Sequence, residues 1–260
     1  MYSYILGGFR TARTISIANQ KGGVGKTTTA VNLAAALGRL HKKVLLIDFD
    51  PHAASTFHLM QDKPQNNIME LLKDRVTIKD SIYIVDEGHI HLIPSTPFLL
   101  ELTGDPNRAA LIPSKVSSLV DLCREFYDYI IFDTPPDFGI LQASAVLASD
   151  EIIVPIYEYM SVSSMNSIKD MIEAYNTKTD YDREIIMKMI AVKTDMRTNL
   201  SKKIVDLVTS QPGSFSTTIP SNVKLAEAPA VNKSIFEYAP DSAGAAAYLM
   251  MANELDRMER

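Results

Sequence analysis

The sequence predicts an α/β protein with a doubly wound, mostly parallel sheet and helices on both faces. Three observations carry that expectation. Short, nearly unbroken apolar runs (KVLLID at 43–48, YIIFD at 129–133, EIIVPI at 151–156) have the length and composition of strands buried on both sides. Stretches with helical spacing of apolar residues separate such runs. The three least ordinary segments, 19–28, 48–56 and 133–139, each follow the carboxyl end of an expected strand, which is where open α/β sheets bind ligands.

In chain order, residues 1–13 read as a tail and 14–260 as a single domain. TISIAN (14–19) is a β-rich run that ends at a glycine loop. From Thr27, TTTAVNLAAALGRL has helical periodicity and closes near Gly38. KVLLID is a strand, 66–75 a helix, and YIVDEGHIHLIP (83–94) one or two short strands. Residues 114–126 have helical spacing, YIIFD is a buried strand, and the turn TPPDFG follows it. EIIVPI is a strand, 162–176 a helix, 184–192 a strand and 200–208 a helix. TTIP (217–220) is the last strand, and a helix over 241–258 closes the chain with Met250 and Met251 turned inward.

The 260 residues are 46% apolar and 22% charged, an ordinary balance for a globular core and too apolar for a disordered chain. No apolar run is long enough for a membrane span, and MYSYILGGFRTAR lacks the basic start of a secretory signal. The single cysteine, Cys123, excludes an internal disulfide and a cysteine-rich metal site, so a cytoplasmic setting is expected. The net charge of −5 excludes a globally basic nucleic-acid coat. Locally the balance reverses: Lys188, Lys193, Arg197, Lys202, Lys203, Lys224 and Lys233 face only Asp195, Asp206 and Glu227 between 185 and 235.

Glycine is scarce, 11 in all, yet Gly22, Gly23 and Gly25 fall together in NQKGGVGKTTT (19–29). A strand–glycine loop–helix start lets backbone N–H groups converge on an anion, with the helix dipole behind them. In this pattern Gly22, Gly23, Val24 and Gly25 cradle phosphates and Lys26 reaches the β- and γ-phosphate oxygens. Thr27 offers its hydroxyl to Mg²⁺, and Thr28 bonds the α-phosphate. The ordinary loop has glycine where this chain has Gln20, and Lys21 precedes the Gly-Gly pair.

KGGVGKTT resembles the deviant Walker A loop of the ParA/MinD family of ATPases. The resemblance continues in family order through VLLIDFDPHAAST (44–56), YIIFDTPPDFG (129–139), DMRTNLSKKIVD (195–206) and IPSNVKLAEAP (219–229). It looks most like ParA and its chromosomal relatives without an N-terminal DNA-binding domain. The resemblance implies a P-loop fold and a Mg²⁺-dependent ATPase that forms a homodimer around ATP. Lys21 would cross to the partner's phosphates, supplying charge in trans as an arginine finger does. Asp50 matches the aspartate of switch I that positions the attacking water, while Asp48 supports the magnesium and the loop threonine. His52 stands where many relatives have glutamine. Asp133 matches the Walker B aspartate that holds Mg²⁺ through water, and Thr134, Pro135 and Pro136 resemble switch II. Pro220 falls in the adenine-contacting segment.

The same resemblance implies nonspecific DNA binding by the ATP dimer, with Arg197, Lys202, Lys203 and Lys224 as candidate phosphate contacts. Ser221 stands where ParA relatives carry arginine, and Lys224 replaces a second one. A ParB-like protein or a cargo adaptor would stimulate hydrolysis and release the dimer from the nucleoid, so that the output is partition of a plasmid or chromosome region, or positioning of a cargo. Three alternatives stand beside this. A MinD-like membrane role would use a basic amphipathic C-terminal helix, whereas the chain ends in ANELDRMER. A redox role like that of the nitrogenase iron protein would need two cysteines per subunit. A nucleotide-binding adaptor without turnover would not need Lys26, Thr27, Asp50 and Asp133 together. His89 and His91 have no partner spacing for a metal site.

Overall fold

The computed structural model describes residues 12–137, 139–179 and 185–258, with the side chains at 159–164, 175, 176, 178 and 179 left aside. The expected tail lies outside this range except for Ala12 and Arg13. Phe138 of the TPPDFG turn lies outside it too.

The described residues form one eight-stranded sheet in the order β3-β4-β2-β5-β1-β6-β7-β8. The strands are β1 (Arg13–Ile17), β2 (Val44–Asp48), β3 (Tyr83–Val85), β4 (Ile90–Ile93), β5 (Tyr129–Asp133), β6 (Glu151–Ile156), β7 (Ile186–Thr194) and β8 (Thr218–Pro220). Every pairing is parallel except that of β3 with β4 at one edge. β1 lies between β5 and β6; the chain winds outward from it to β2 on one side and later passes from β5 to β6 on the other, so the winding reverses here and a crevice opens at its carboxyl end.

The helices are α1 (Lys26–Arg39), α2 (Ala54–Leu59), α3 (Ile68–Leu72), α4 (Pro106–Ala109), α5 (Ile112–Cys123), α6 (Ile140–Leu147), α7 (Tyr159–Thr179), α8 (Asn199–Thr209), α9 (Val223–Glu227), α10 (Ile235–Tyr238) and α11 (Ala243–Arg257). Alternating strand residues point to opposite faces, and both faces are apolar. Leu46 and Ile131 join α1 and α11 residues such as Leu33 and Met251 in one core. Their neighbours Leu45, Ile47, Ile130 and Phe132 pack with Val116 and Val120 of α5 in a second. A third core joins Ile152 and Val154 to Ile204 and Val208 of α8.

The doubly wound architecture is as the sequence predicts, with two adjustments. β1 begins at Arg13, inside the expected tail, because Arg13 forms a buried bidentate pair with Glu151 of β6 at 2.6 and 2.8 Å. α1 closes at Arg39, near Gly38 as expected, with Gly38 itself inside the last turn. A Cβ there would lie 2.4 Å from the His89 carbonyl oxygen, so the glycine serves close packing and not helix termination. Met251 is buried in α11 as expected, whereas Met250 is 61% exposed, since adjacent helical positions are about 100° apart. Cys123 is buried, as its apolar helical setting predicts.

Candidate functional site at the carboxyl ends of β1, β2 and β5

The glycine loop turns the chain from β1 into α1. Gly23 and Gly25 have φ of 74° and 89°, a left-handed backbone that residues with a Cβ rarely take. Gly25 is the N-cap of α1 and makes no side-chain cap, so the first N–H groups of the helix are left for an external anion. No atom lies within 4 Å of the position a Cβ would take at Gly22, Gly23 or Gly25, so the loop presents bare backbone. Val24 is buried beneath it, while Thr27 and Thr28 are half-buried.

Lys26 is buried, and burial lowers its pKa against the opposing pull of Asp133, Asp50 and Asp137. Its ammonium donates to the Lys21 carbonyl at 3.2 Å, which folds it back across the loop. Lys21 donates its backbone N–H to Asn19 Oδ1 at 2.9 Å and forms an ion pair through its ammonium with Glu158, just after β6. The lysine expected to reach a second subunit is therefore held within its own chain.

The three predicted acids converge here. Asp48 and Asp133 are register partners at the ends of β2 and β5. Asp48 Oδ2 accepts from the Thr56 N–H and hydroxyl, each at 2.7 Å, and Oδ1 accepts from the Asp50 N–H at 3.2 Å. Burial and the charge of Asp133 raise its pKa well above the usual carboxylate range. Asp48 and Asp50, two apart at the end of an apolar run, would share a face if the strand continued, but β2 stops at Asp48 and the chain turns. Asp50 lies in that turn, almost buried, and accepts from the His52 N–H at 2.9 Å. Ala53 (φ 53°) then starts α2.

Asp133 Oδ2 accepts from the Ser55 hydroxyl at 2.7 Å. Its Oδ1 is buried without a well-aligned hydrogen-bond donor. Burial raises the pKa of Asp133 to about 6, against the pull of the Ser55 and Thr27 hydroxyls. A buried carboxylate oxygen left without a donor beside a threonine hydroxyl is a setting that a hard divalent cation fits, since it takes oxygen ligands and cancels the charge that burial disfavours. The segment that resembles switch II is anchored nearby: Thr134 donates to the Ile17 carbonyl and Gln142 to that of Pro135, both at 2.8 Å.

Other predicted residues stand apart. Pro220 ends β8 and lines a cavity of 530 Å³ with Thr194, Asp195, Ser221 and Met250. Arg197 is exposed and doubly bonded to its own neighbour Asp195, at 2.8 and 2.7 Å. Lys224 pairs with Glu227 at 2.9 Å. Lys202 and Lys203 are exposed on α8, with no ion pair among the described residues. Sequence reasoning missed Ser55 and Thr56, which hold Asp133 and Asp48, and Lys193, whose ammonium reaches the Gly23 carbonyl. Ser55 and Thr56 lie in a segment already singled out, but nothing in their type announces these partners.

Comparison with known proteins agrees with this geometry. The model of the AAA domain family matches residues 12–187. The chain is 34% identical over 262 residues to the chromosome-partitioning ATPase Soj of Thermus thermophilus, covering 94% of this chain and 95% of that one. Among solved structures, a putative plasmid partition protein from Borrelia burgdorferi bound to AMPPNP is 25% identical, with a TM-score of 0.78 and coverage of 95% and 100%. The cobyrinic acid a,c-diamide synthase of Mycobacterium smegmatis, with bound ADP and magnesium, is 26% identical, with a TM-score of 0.78 and coverage of 95% and 94%. A glycine loop around Lys26, a buried oxygen on Asp133 and near full-length likeness to a Soj protein lead to one conclusion: the chain belongs to the ParA/MinD family of P-loop ATPases, among its Soj-like partition members.

Proposed function

We propose that this chain is a Mg²⁺-dependent ATPase whose ATP-bound homodimer binds nonspecific DNA, and that partner-stimulated hydrolysis releases it, in partition or cargo positioning. The observation that supports this most is the meeting of Lys26 with Asp50 and Asp133 beneath an open glycine loop, each delivered by a different strand end. Gly22, Gly23, Val24 and Gly25 offer backbone N–H groups to the phosphates, Lys26 supplies charge at the β- and γ-phosphates, and Thr28 bonds the α-phosphate. Thr27 and Asp133 would hold Mg²⁺, which when bound neutralises charge on the phosphate oxygens. Both oxygens of Asp48 are engaged by Thr56 and the Asp50 backbone, so Asp48 supports the metal from behind by fixing the switch I turn.

Asp50 orients the attacking water, and chemistry of this kind depends on positioning and charge more than on a strong base. Its Oδ1 accepts from the His52 N–H at 2.9 Å and lies 2.9 Å from the His52 Nδ1, contacts that fix the carboxylate within the turn. Lys21 leaves Glu158 when a second subunit arrives, exchanging a half-exposed ion pair for the partner's phosphates. Such a pair is weak enough to exchange. Pro220 lies on the adenine side. Among the described residues no helix is long and apolar enough to cross a membrane, and the proposed location is the cytoplasm, with nucleoid association in the ATP state.

The experiment is a three-variant comparison by calorimetry and light scattering with Mg-ATP. Lys26→Ala is expected to lose nucleotide binding. Lys21→Ala keeps ATP binding but forms no productive dimer, and Asp50→Ala accumulates the ATP dimer. Normal ATP dimerisation of Lys21→Ala would remove the trans role, and normal turnover of Asp50→Ala would remove it from the mechanism.

A further inference from the structure

Lys193 lies one residue before the end of β7, where the neighbouring residues 189–192 are buried. Its backbone is left-handed, with φ of 52°, a conformation that costs energy in any residue bearing a Cβ. The pairing of β7 with β8 slips at the same place: Ala191 faces Thr218 and Thr194 faces Pro220, so two residues of β7 lie opposite one of β8. Bulges of this kind re-aim a side chain. Here the ammonium of Lys193 donates to the Gly23 carbonyl at 2.7 Å, across 170 positions of chain, and lies 5.3 Å from the centre of the Tyr157 ring. Gly23 is the left-handed centre of the glycine loop.

We propose that Lys193 is a positioning residue of the nucleotide site, acting on the phosphates through the Gly23–Val24 peptide; this rests on the ATPase reading above. The peptide unit is planar and trans, so its C=O and N–H point in opposite directions. An ammonium that fixes the Gly23 carbonyl on the outer side of the loop thereby turns the Val24 N–H to the inner side, where the phosphates bind. Without that anchor the peptide is free to flip and present a carbonyl oxygen to the anion, which repels it. The Tyr157 ring face steadies the cation, and the strained backbone with its slipped register is what directs the side chain there.

The consequence is an effect on binding more than on chemistry. The loop N–H groups grip the phosphates of ADP as well as ATP, so both affinities depend on Lys193 while turnover at saturation does not. Calorimetry with Mg-ADP and Mg-ATP, together with steady-state kinetics, tests this. Lys193→Met is expected to weaken both nucleotides roughly tenfold, the size of one charge-assisted hydrogen bond, with kcat changed less than about twofold. Lys193→Arg restores most of the affinity. Lys193→Gly removes both the cation and the Cβ that the left-handed backbone disfavours, so its melting temperature rises while its nucleotide affinity falls as in Lys193→Met. A purely structural lysine would move those two quantities together, and that result overturns the proposal. So does Lys193→Met binding both nucleotides like the wild type. A wild-type protein that binds neither nucleotide sinks the ATPase reading and the anchor with it, whereas a normal wild type beside an unimpaired Lys193→Met sinks the anchor alone.

Discussion

At the scale of single residues, buried titratable groups make stability depend on pH. His58 of α2 is buried and donates from Nε2 to the Lys233 carbonyl at 3.0 Å. Burial pushes its pKa down to about 4, although the carbonyl and Asp86 favour the protonated ring. The unfolded chain therefore binds a proton near pH 6.5 that the folded chain refuses until about pH 4. His58 costs no stability above that window and removes up to ~3 kcal/mol as pH falls through it. Glu237 opposes this. Burial and Asp86 push its pKa up to about 7, so its contribution is present at low pH and is lost as pH rises from about 4.5 to 7. Glu237 is largely solvent-screened, which shrinks its share, and His58 dominates. Asp48 and Asp133, whose carboxyls burial also pushes up, lose stability over the same range, so the contribution of His58 is read as a difference: between about pH 4.5 and 6.5 the slope of stability in urea against pH should be more positive in the wild type than in His58→Gln. His58→Gln should shift that slope downward by more than Glu237→Gln shifts it upward, and a wild-type slope in His58→Gln would show that the ring titrates normally. Some site residues were legible because their chemistry demands a residue type at a fixed spacing: Lys26 and Thr27 after the glycines, Asp50 and Asp133 after apolar runs. Lys193 and Thr56 were not, since their partners are chosen by a strand bulge and a loop turn that no local pattern encodes.

At the scale of elements, the strands were read well because a strand buried on both faces must be apolar throughout, and β2, β5 and β6 are fully buried. Short helices such as α2, α6 and α10 were missed, and the reason is visible in what holds them. α10 depends on a capping box between Ser234 and Glu237 and on the Asn32 side chain accepting from the Ile235 N–H, a contact 203 positions away. The missed start of β1 has the same character. Arg13 is held by Glu151 and by the Leu255 carbonyl at 2.6 Å, and Lys188 of β7 adds a second cation 3.1 Å from Glu151. One carboxylate thus ties β1, β6, β7 and the end of α11 at the amino end of the sheet, with all three side chains buried. Glu151→Gln leaves two buried cations facing a neutral amide, a loss expected to destabilise the fold by ~3–5 kcal/mol. Guanidinium denaturation reads this directly, and nucleotide affinity of the folded fraction should be unchanged because the site lies at the other end of the strands. A loss below about 1 kcal/mol would mean that the trio is solvated.

At the scale of the whole molecule, the DNA binding proposed for this acidic chain would have to act through a local field, and the ion pairs of the candidate cations bear on where that field would lie. Of the four cations singled out by sequence, Arg197 is neutralised by Asp195, which its guanidinium holds at a pKa of about 2, and Lys224 by Glu227. Lys202 and Lys203 remain, adjacent and exposed on α8, and the proposed twofold dimer would present the pair twice. Counterion release then sets the expected readout. Each phosphate neutralised contributes about −0.9 to the slope of log K against log salt, so a dimer using both lysines on each subunit loses a slope of about 3 to 4 when they are reversed to Lys202→Glu and Lys203→Glu. Arg197→Ala and Lys224→Ala should each change the slope by less than about 1, because their charges are already spent within the fold. Fluorescence anisotropy of a random-sequence duplex with Mg-ATP across a salt series separates these outcomes. A full slope in the double reversal would move the DNA face off α8. A large effect of Arg197→Ala would mean that DNA phosphate displaces Asp195, turning an internal ion pair into a contact made only when the two subunits and the duplex come together.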